Sequence, residues 1–547
     1  MSDPAISPEQ IAAAEALLGL QFTPAQREQM QAILNDRRAQ YAGIRAADLD
    51  NNIPLSLNFS VKVSDPAPAA VPRGYPMSAQ PPVTRPADLE AAAFYTVTQL
   101  AELVRSRQVT SLELTEMYLR RLKRVDPVLQ CVARVTEELA IQQAKRADDE
   151  IARGLYRGPL HGIPWGAKDL LATRGYPTGW GAMPYKDQQI DMDATVVQRL
   201  DAAGAVLIAK LTLGALANGD VWYGGITKNP WDSSEGSSGS SAGPGAATAA
   251  GLVGFSIGSE TMGSIVSPST RCGVTGLRPT YGRVSRHGAM ALSWSMDKLG
   301  PMCRSVEDCA LVFSAIYGPD GLDMTISPEP FSWDPALDPR GLRIGYVASA
   351  FEAADAGKTT EHHRDQGLEL QRVNQVNSAA ALDVMRDAGF ELIPIELPQT
   401  ETSGLWLILA AEAAAAFDQI TRDGSVDSMK RQDDNAWPNI FRAARLIPAV
   451  EYINANRVRM QLMREMTRVM HAVDVFIVPS FGANALQITN FTGHPCVVLP
   501  NGFTDKRTPT SISFIGGLYQ EAATLAVAKA YQDATDWHKQ YPDLGAM

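Results

Sequence analysis

Residues 236–280 contain two loops of small residues that could hold a nucleophile and the backbone N–H groups that stabilise its reaction. The first loop reads GSSGSSAG at 236–243, and the second reads TMGS at 261–264. Between them lie an alanine-rich run at 246–250, typical of a helix, and an apolar run at 252–257, typical of a buried strand. Ser/Gly tracts are usually linkers, but small residues between ordered elements indicate close backbone approach and free N–H groups. We therefore predict a pair of functional loops.

Two widespread serine motifs fit the chain poorly. The string GSSAG at 239–243 matches the G-x-S-x-G nucleophile elbow, with Ser241 as nucleophile. That elbow follows a strand, whereas residues 229–235 read NPWDSSE, which is typical of a turn. The S-x-x-K string from Ser295 to Lys298 has no K-T-G downstream, so we interpret it as a chance match.

A third interpretation accounts for many more residues. Over about residues 94–540 the chain resembles the amidase signature family of Ser-Ser-Lys hydrolases. Besides the Ser/Gly loop, the matching pieces in chain order are GIP at 162–164, KD at 168–169, TKNPWD at 227–232, GSI at 263–265, CGVTGLRPT at 272–280, GRVS at 282–285, Asp297 with GP at 300–301, NFTGHP at 490–495 and DWH at 536–538. So many pieces in one order make the resemblance specific.

The resemblance implies an amidase that cleaves linear C–N amide bonds through an acyl-enzyme. It assigns Ser264 as the nucleophile, Ser240 as the bridging serine in a cis peptide and Lys168 as the base. A lysine accepts a proton only when it is neutral, and at a pKa near 10.4 roughly one in several thousand is neutral at pH 7. Burial beside the apolar run at 163–165 is expected to lower that pKa.

The same resemblance implies further site residues and no metal or organic cofactor. The oxyanion hole is expected from the backbone N–H groups of Thr261, Met262, Gly263 and Ser264. Four residues in or near the matched loops are predicted to contact a small-molecule amide substrate, and they are Ser241, Trp180, Met183 and Tyr223.

Three positions depart from the usual family pattern. Ala242 stands where glycine is usual, and Met262 adds a side chain beside the expected oxyanion hole. Val266 replaces an arginine, which weakens the case for a substrate with a carboxylate. Two alternatives stay open: the glutamine-amidase subunit of a tRNA-dependent amidotransferase, and a catalytically silent scaffold with the amidase fold.

Composition excludes several other classes of function. A net charge of −11 argues against a nucleic-acid binder, because phosphate neutralisation needs an excess of Lys and Arg. Five cysteines without CxxC spacing indicate reduced thiols and no structural zinc. The apolar run 405–417 contains Glu412 and is too short for a membrane span. The N-terminus lacks the pattern of a signal peptide, so we predict a cytoplasmic enzyme, with a homodimer as a possible assembly.

Three segments are predicted along the chain. Residues 1–60 form a helical N-terminal extension, because SPEQ at 7–10 and TPAQ at 23–26 fit the capping box with proline at the first helical position. The helices, with LQFTP at 20–24 and DLD at 48–50, loosely resemble the C subunit of glutamyl-tRNA amidotransferase. Residues 61–93 form a proline-rich linker. Residues 94–540 form the catalytic domain, for which alternating strands and helices predict an α/β fold with a central mixed β-sheet covered by helices on both faces.

Overall fold

A computed structural model describes residues 5–47, 49, 53–57, 75–79, 82–352 and 364–545. The predicted α/β fold is confirmed, with a large mixed sheet at the centre of the molecule. Most of the predicted linker, at 61–74 and 80–81, lies outside the described residues, as do Asp48 and Asp50. The three predicted segment boundaries stay predictions.

Eleven strands of the described chain form one sheet in the order β1-β3-β2-β8-β10-β9-β14-β15-β13-β11-β12, and two further pairs, β4-β5 and β6-β7, form separate hairpins. Strands β1–β15 span Val132–Val135, Pro164–Lys168, Val206–Leu211, Val221–Trp222, Gly225–Ile226, Lys228–Asn229, Asp232–Gly236, Phe255–Glu260, Thr275–Arg278, Lys298–Cys303, Ile344–Val347, Leu392–Ile395, Val475–Pro479, Cys496–Phe503 and Pro509–Gly516. Parallel pairs join β3 to β2, β2 to β8, β13 to β11 and β11 to β12, and the other neighbours are antiparallel.

Helices connect and cover these strands. In the described part of the chain, α1–α17 span Pro8–Leu18, Pro24–Ala46, Val97–Arg105, Ser111–Leu129, Glu137–Ala152, Thr195–Ala202, Ala242–Ala249, Val266–Cys272, Val306–Ile316, Ala348–Phe351, Arg364–Asp387, Trp406–Ala416, Asp418–Arg422, Trp437–Ala444, Ala449–Ala472, Ala485–Thr492 and Glu521–Asp533. No helix among the described residues is long and apolar enough to cross a membrane.

The N-terminal helices begin as their sequence predicts. Both capping boxes form, with Ser7 and Thr23 as N-caps, and Gly19 ends α1 in the left-handed conformation. The second helix packs against α14 and α15, and Arg45 forms an ion pair with Glu451 at 2.6 Å. The apolar faces of these two short helices are therefore buried partly against the main body.

Three parallel strands place the predicted site residues. Strands β3, β2 and β8 run side by side, and β2 ends at Lys168 while β8 ends at Glu260. Because parallel strands present their carboxyl ends at one edge, Lys168 lies beside the end of β8 and the loop that follows it. The strand begins at Phe255 and includes Ser259 and Glu260, so the predicted boundaries of 252–257 were wrong by three residues. Buried polar residues at its carboxyl end do not continue the apolar run by which we located it.

Candidate active site

Lys168 is fully buried and surrounded by hydroxyl groups. Its Nζ lies 2.8 Å from Ser240 Oγ, 3.0 Å from Ser241 Oγ and 2.8 Å from Ser259 Oγ. Among the described residues no carboxylate lies within ion-pair distance of this nitrogen. Burial is the main cause that lowers the pKa of Lys168 well below its ordinary value, and the charges of Asp297 and Glu260 oppose the shift only in part.

The two small-residue loops meet at this lysine. The peptide bond between Gly239 and Ser240 is cis, and α7 begins two residues after Ser240. Ser241 N–H donates to the carbonyl oxygen of Ser264 at 3.1 Å, which joins the first loop to the second. Ser264 is half-buried, and its Oγ has no hydrogen-bond partner among the residues that the structure describes.

Ser241 fixes the first loop to strand β8. Its Oγ donates to the Ser259 carbonyl at 3.1 Å and accepts from Ser259 N–H at 3.1 Å. The approach is close enough that a Cβ at Gly258 would lie 2.8 Å from Ser241 Oγ. Ala242, the departure from glycine, is fully buried as the first residue of α7, so its methyl group is accommodated by packing.

Glu260 organises the second loop. This buried carboxylate accepts from the N–H groups of Ile265 at 2.8 Å and Val266 at 2.9 Å, and it pairs with Arg278 at 2.8 Å. Burial alone would raise the pKa of Glu260, but the charge and hydrogen bond of Arg278 lower it below the ordinary value. By contrast, the N–H groups at 262–264 donate to no described residue, so they are free for a ligand.

A cavity of about 240 Å³ adjoins the second loop. Ser259, Thr261 and Asp297 lie in its wall, and the remaining lining is mostly apolar. Thr261 Oγ1 donates to Asp297 Oδ1 at 2.5 Å, and burial raises the pKa of this carboxyl.

The predicted substrate contacts are distributed unevenly. Ser241 lies at the lysine, and Trp180 is connected to the next residue, because its N–H donates to the Asp169 carbonyl at 3.2 Å. Met183 is half exposed, and Tyr223 packs against Trp222. Trp180, Met183 and Tyr223 do not line the cavity, and their contact with a substrate stays a prediction.

Comparison with known proteins decides the family. The sequence profile of the Amidase family matches residues 113–492. The chain belongs to the amidase signature family. A putative amidase, AmiD, of Mycobacterium tuberculosis is 36% identical over 488 residues, which cover 84% of this chain and 98% of the relative. The amidase-type subunit of the glutamyl-tRNA(Gln) amidotransferase of Chloroflexus aggregans is 33% identical over 496 residues, covering 82% of this chain and 98% of the relative.

Solved structures of the family have the same fold. The native peptide amidase of Stenotrophomonas maltophilia is similar with a TM-score of 0.69 and 28% identity, over 82% of this chain and 98% of that enzyme. Membership of the amidase signature family supports amide hydrolase activity in general. Within the described residues, no group of three or more His, Cys, Asp or Glu side chains could hold a metal ion.

Sequence reasoning gave Ser259 no role and treated Asp297 only as part of a matched motif. Both lie at the lysine or the adjoining cavity. One signal for Ser259 was present, since a buried apolar run that ends in polar residues just before a functional loop indicates side chains facing a site. The contact of Asp297 with Thr261 spans 36 positions and had no local signal.

Proposed function

We propose that the chain is an amidohydrolase that cleaves linear amides through Lys168, Ser240 and Ser264. The observation that carries the proposal is a fully buried lysine whose close partners are hydroxyl groups. A buried amine without a contacting carboxylate is held in its neutral form, which can accept a proton.

The mechanism uses each of these groups in turn. Neutral Lys168 takes the proton of Ser240 Oγ as Ser240 takes the proton of Ser264 Oγ, which attacks the amide carbon. The N–H groups at 261–264 stabilise the oxyanion, with each donor contributing about 3–4 kcal/mol. The proton returns through Ser240 to the leaving nitrogen, the C–N bond breaks, and water then hydrolyses the acyl-Ser264 ester. No metal or organic cofactor takes part.

Serine-directed labelling combined with an amide panel tests this function. We expect a fluorophosphonate to label Ser264 in the native protein and to leave Ser264→Ala unlabelled. The native protein should hydrolyse at least one uncharged primary amide, and Ser264→Ala should not. A folded native protein that neither takes the label nor hydrolyses any amide, ester or urea would instead be a catalytically silent scaffold.

A second candidate is the glutamine-amidase subunit of an amidotransferase, which the similarity to relatives of that name favours. Val266 at the position of the usual arginine counts against a substrate with a free carboxylate. Selective hydrolysis of glutamine over uncharged amides, together with a co-purifying large partner, would establish this candidate. The homodimer, the cytoplasmic location and the substrate contacts of Ser241, Trp180, Met183 and Tyr223 remain predictions.

A further inference from the structure

We infer that the cavity beside Ser259 and Thr261 receives an uncharged, mainly apolar acyl group, and that the Arg286–Asp323 pair in its wall selects against substrates with a free carboxylate. The inference rests on the proposed amide hydrolysis and adds a substrate class to it. It concerns the cavity of about 240 Å³ that opens beside the second loop.

Apolar side chains make up most of this cavity. Leu170, Met290, Leu292, Leu299 and Trp294 are among the residues that line it. A dry cavity of about 150 Å³ lined by such residues is large enough to bind benzene. The space beside Thr261 therefore accommodates an aryl ring or a short alkyl chain, and burying that group favours binding in proportion to its apolar area.

The cation in the wall is already neutralised. Arg286 Nε lies 2.9 Å from Asp323 Oδ2, and its NH2 lies 3.2 Å from Asp323 Oδ1. The remaining donors of the guanidinium bind Trp294 O at 2.7 Å and Thr325 Oγ1 at 2.9 Å. Burial would raise the pKa of Asp323, but Arg286 lowers it to about 2, so the pair stays charged in neutral solution.

The other carboxylate in the wall adds negative charge. Asp297 Oδ2 accepts from the N–H groups of Leu292 at 2.8 Å and Ser293 at 2.9 Å, and Oδ1 accepts from Thr261. A substrate carboxylate entering this space loses its hydration and meets Asp297, while Arg286 remains bound to Asp323. An unpaired charge in such surroundings is strongly disfavoured.

Two amides of equal length test the inference directly. Hexanamide and the monoamide of adipic acid differ in a terminal methyl group against a terminal carboxylate. At pH 8.5 we expect kcat/KM for hexanamide to exceed that for the adipic monoamide by at least about tenfold. The alkaline pH keeps the imidazole of His287, which also lines the cavity, from acting as a competing cation. Equal rates, or a preference for the carboxylate, would overturn the inference.

A variant that releases the cation should change this preference. Asp323→Asn leaves Arg286 without its counter-charge, so the hexanamide preference should fall at least about fivefold. Asp474→Asn is the matched control, because Asp474 binds Arg343 in the same two-pronged way, at 2.7 and 3.2 Å, away from the cavity lining. The control should keep the native preference, and an unchanged preference in folded Asp323→Asn contradicts the role of the pair.

Two further measurements keep the inference testable if that variant does not fold or if no amide is turned over. Ala291→Leu narrows the cavity, so hexanamide hydrolysis should fall about tenfold or more while acetamide hydrolysis changes less than about twofold. Calorimetry with Ser264→Ala measures binding of both amides without turnover. Tighter binding of hexanamide supports the cavity assignment even if hydrolysis fails, and equal affinities refute it.

Discussion

Two lysines on neighbouring strands are equally buried but have different partners. Lys168 ends β2, and Lys210 lies in β3, where it pairs in register with Ala167. Lys210 Nζ lies 3.0 Å from Asp169 Oδ1 and 2.8 Å from Thr178 Oγ1. The partners of Lys168 are the hydroxyl groups of three serines.

The difference between them is electrostatic. Burial lowers the pKa of both lysines, but Asp169 offsets part of the effect at Lys210 by direct contact. Lys168 is influenced by Asp297 and Glu260 only through space, and its pKa falls further. Burial alone therefore does not distinguish a structural lysine from a proton acceptor. The contacting group does, because a carboxylate stabilises the charged amine more strongly than a neutral hydroxyl does.

The largest expected effect is on catalysis at Lys168. Lys168→Met removes the base, and kcat/KM for an amide that the native protein hydrolyses should fall about 10²–10⁴-fold. Lys168→Arg should be as inactive, because a guanidinium keeps its proton. Circular dichroism checks that both variants fold. An arginine variant within about tenfold of native activity would remove the basis of the comparison.

The next effect is on stability at Lys210. Asp169→Asn leaves a buried ammonium without its counter-charge, and the free energy of unfolding in urea should fall by about 3–5 kcal/mol. The double variant Asp169→Leu with Lys210→Met should recover at least half of that loss, because no charge is then buried. If the single variant loses less than about 1 kcal/mol, Lys210 does not depend on its partner.

Much of the scaffold behind this comparison was predictable. The apolar runs at 206–210, 475–478, 496–499 and 511–515 correspond to β3, β13, β14 and β15, because a buried strand in a layered sheet is apolar on both faces. The N-terminal capping boxes formed at Ser7 and Thr23 because all their partners lie within three residues. Local chemistry decides these features.

The details of the site were less predictable, because they depend on residues that are distant in sequence. Motif matches pointed to Lys168 and Ser240, and the structure brings them to 2.8 Å. The third hydroxyl at Lys168, from Ser259, and the hold of Asp297 on Thr261 arise where strands and loops meet. Likewise, that Lys210 is paired and Lys168 is not depends on where Asp169 and Thr178 lie in the folded chain.

The pH dependence of activity sharpens the comparison further. Since only neutral Lys168 accepts a proton, kcat/KM should rise with pH through its lowered pKa and level off well below pH 10.5. The charge of Asp297 raises the pKa of Lys168, so Asp297→Asn should move the midpoint to lower pH. Asp338→Asn, at an exposed carboxylate, is the control and should leave it in place. A midpoint that moves upward would show that Asp297 acts in another way.

The smallest effect should come from one hydroxyl at the lysine. Ser259→Ala removes a partner of Lys168 Nζ but leaves Ser240 and Ser241, so kcat/KM should fall by only about 3–10-fold, as expected for one net hydrogen bond. Ser256→Ala is a matched control on the same strand, because Ser256 Oγ binds Thr248 Oγ1 at 2.8 Å and makes no contact with the lysine.

The single-turnover rate of acylation is the measurement that separates these two serines. A loss at Ser259 that equals the loss in Lys168→Met would mean that the proton leaves through Ser259. A loss equal to that of Ser256→Ala would mean that Ser259 only packs. An intermediate loss, with Ser240→Ala much slower, fits a lysine oriented by three hydroxyls of which Ser240 alone passes the proton.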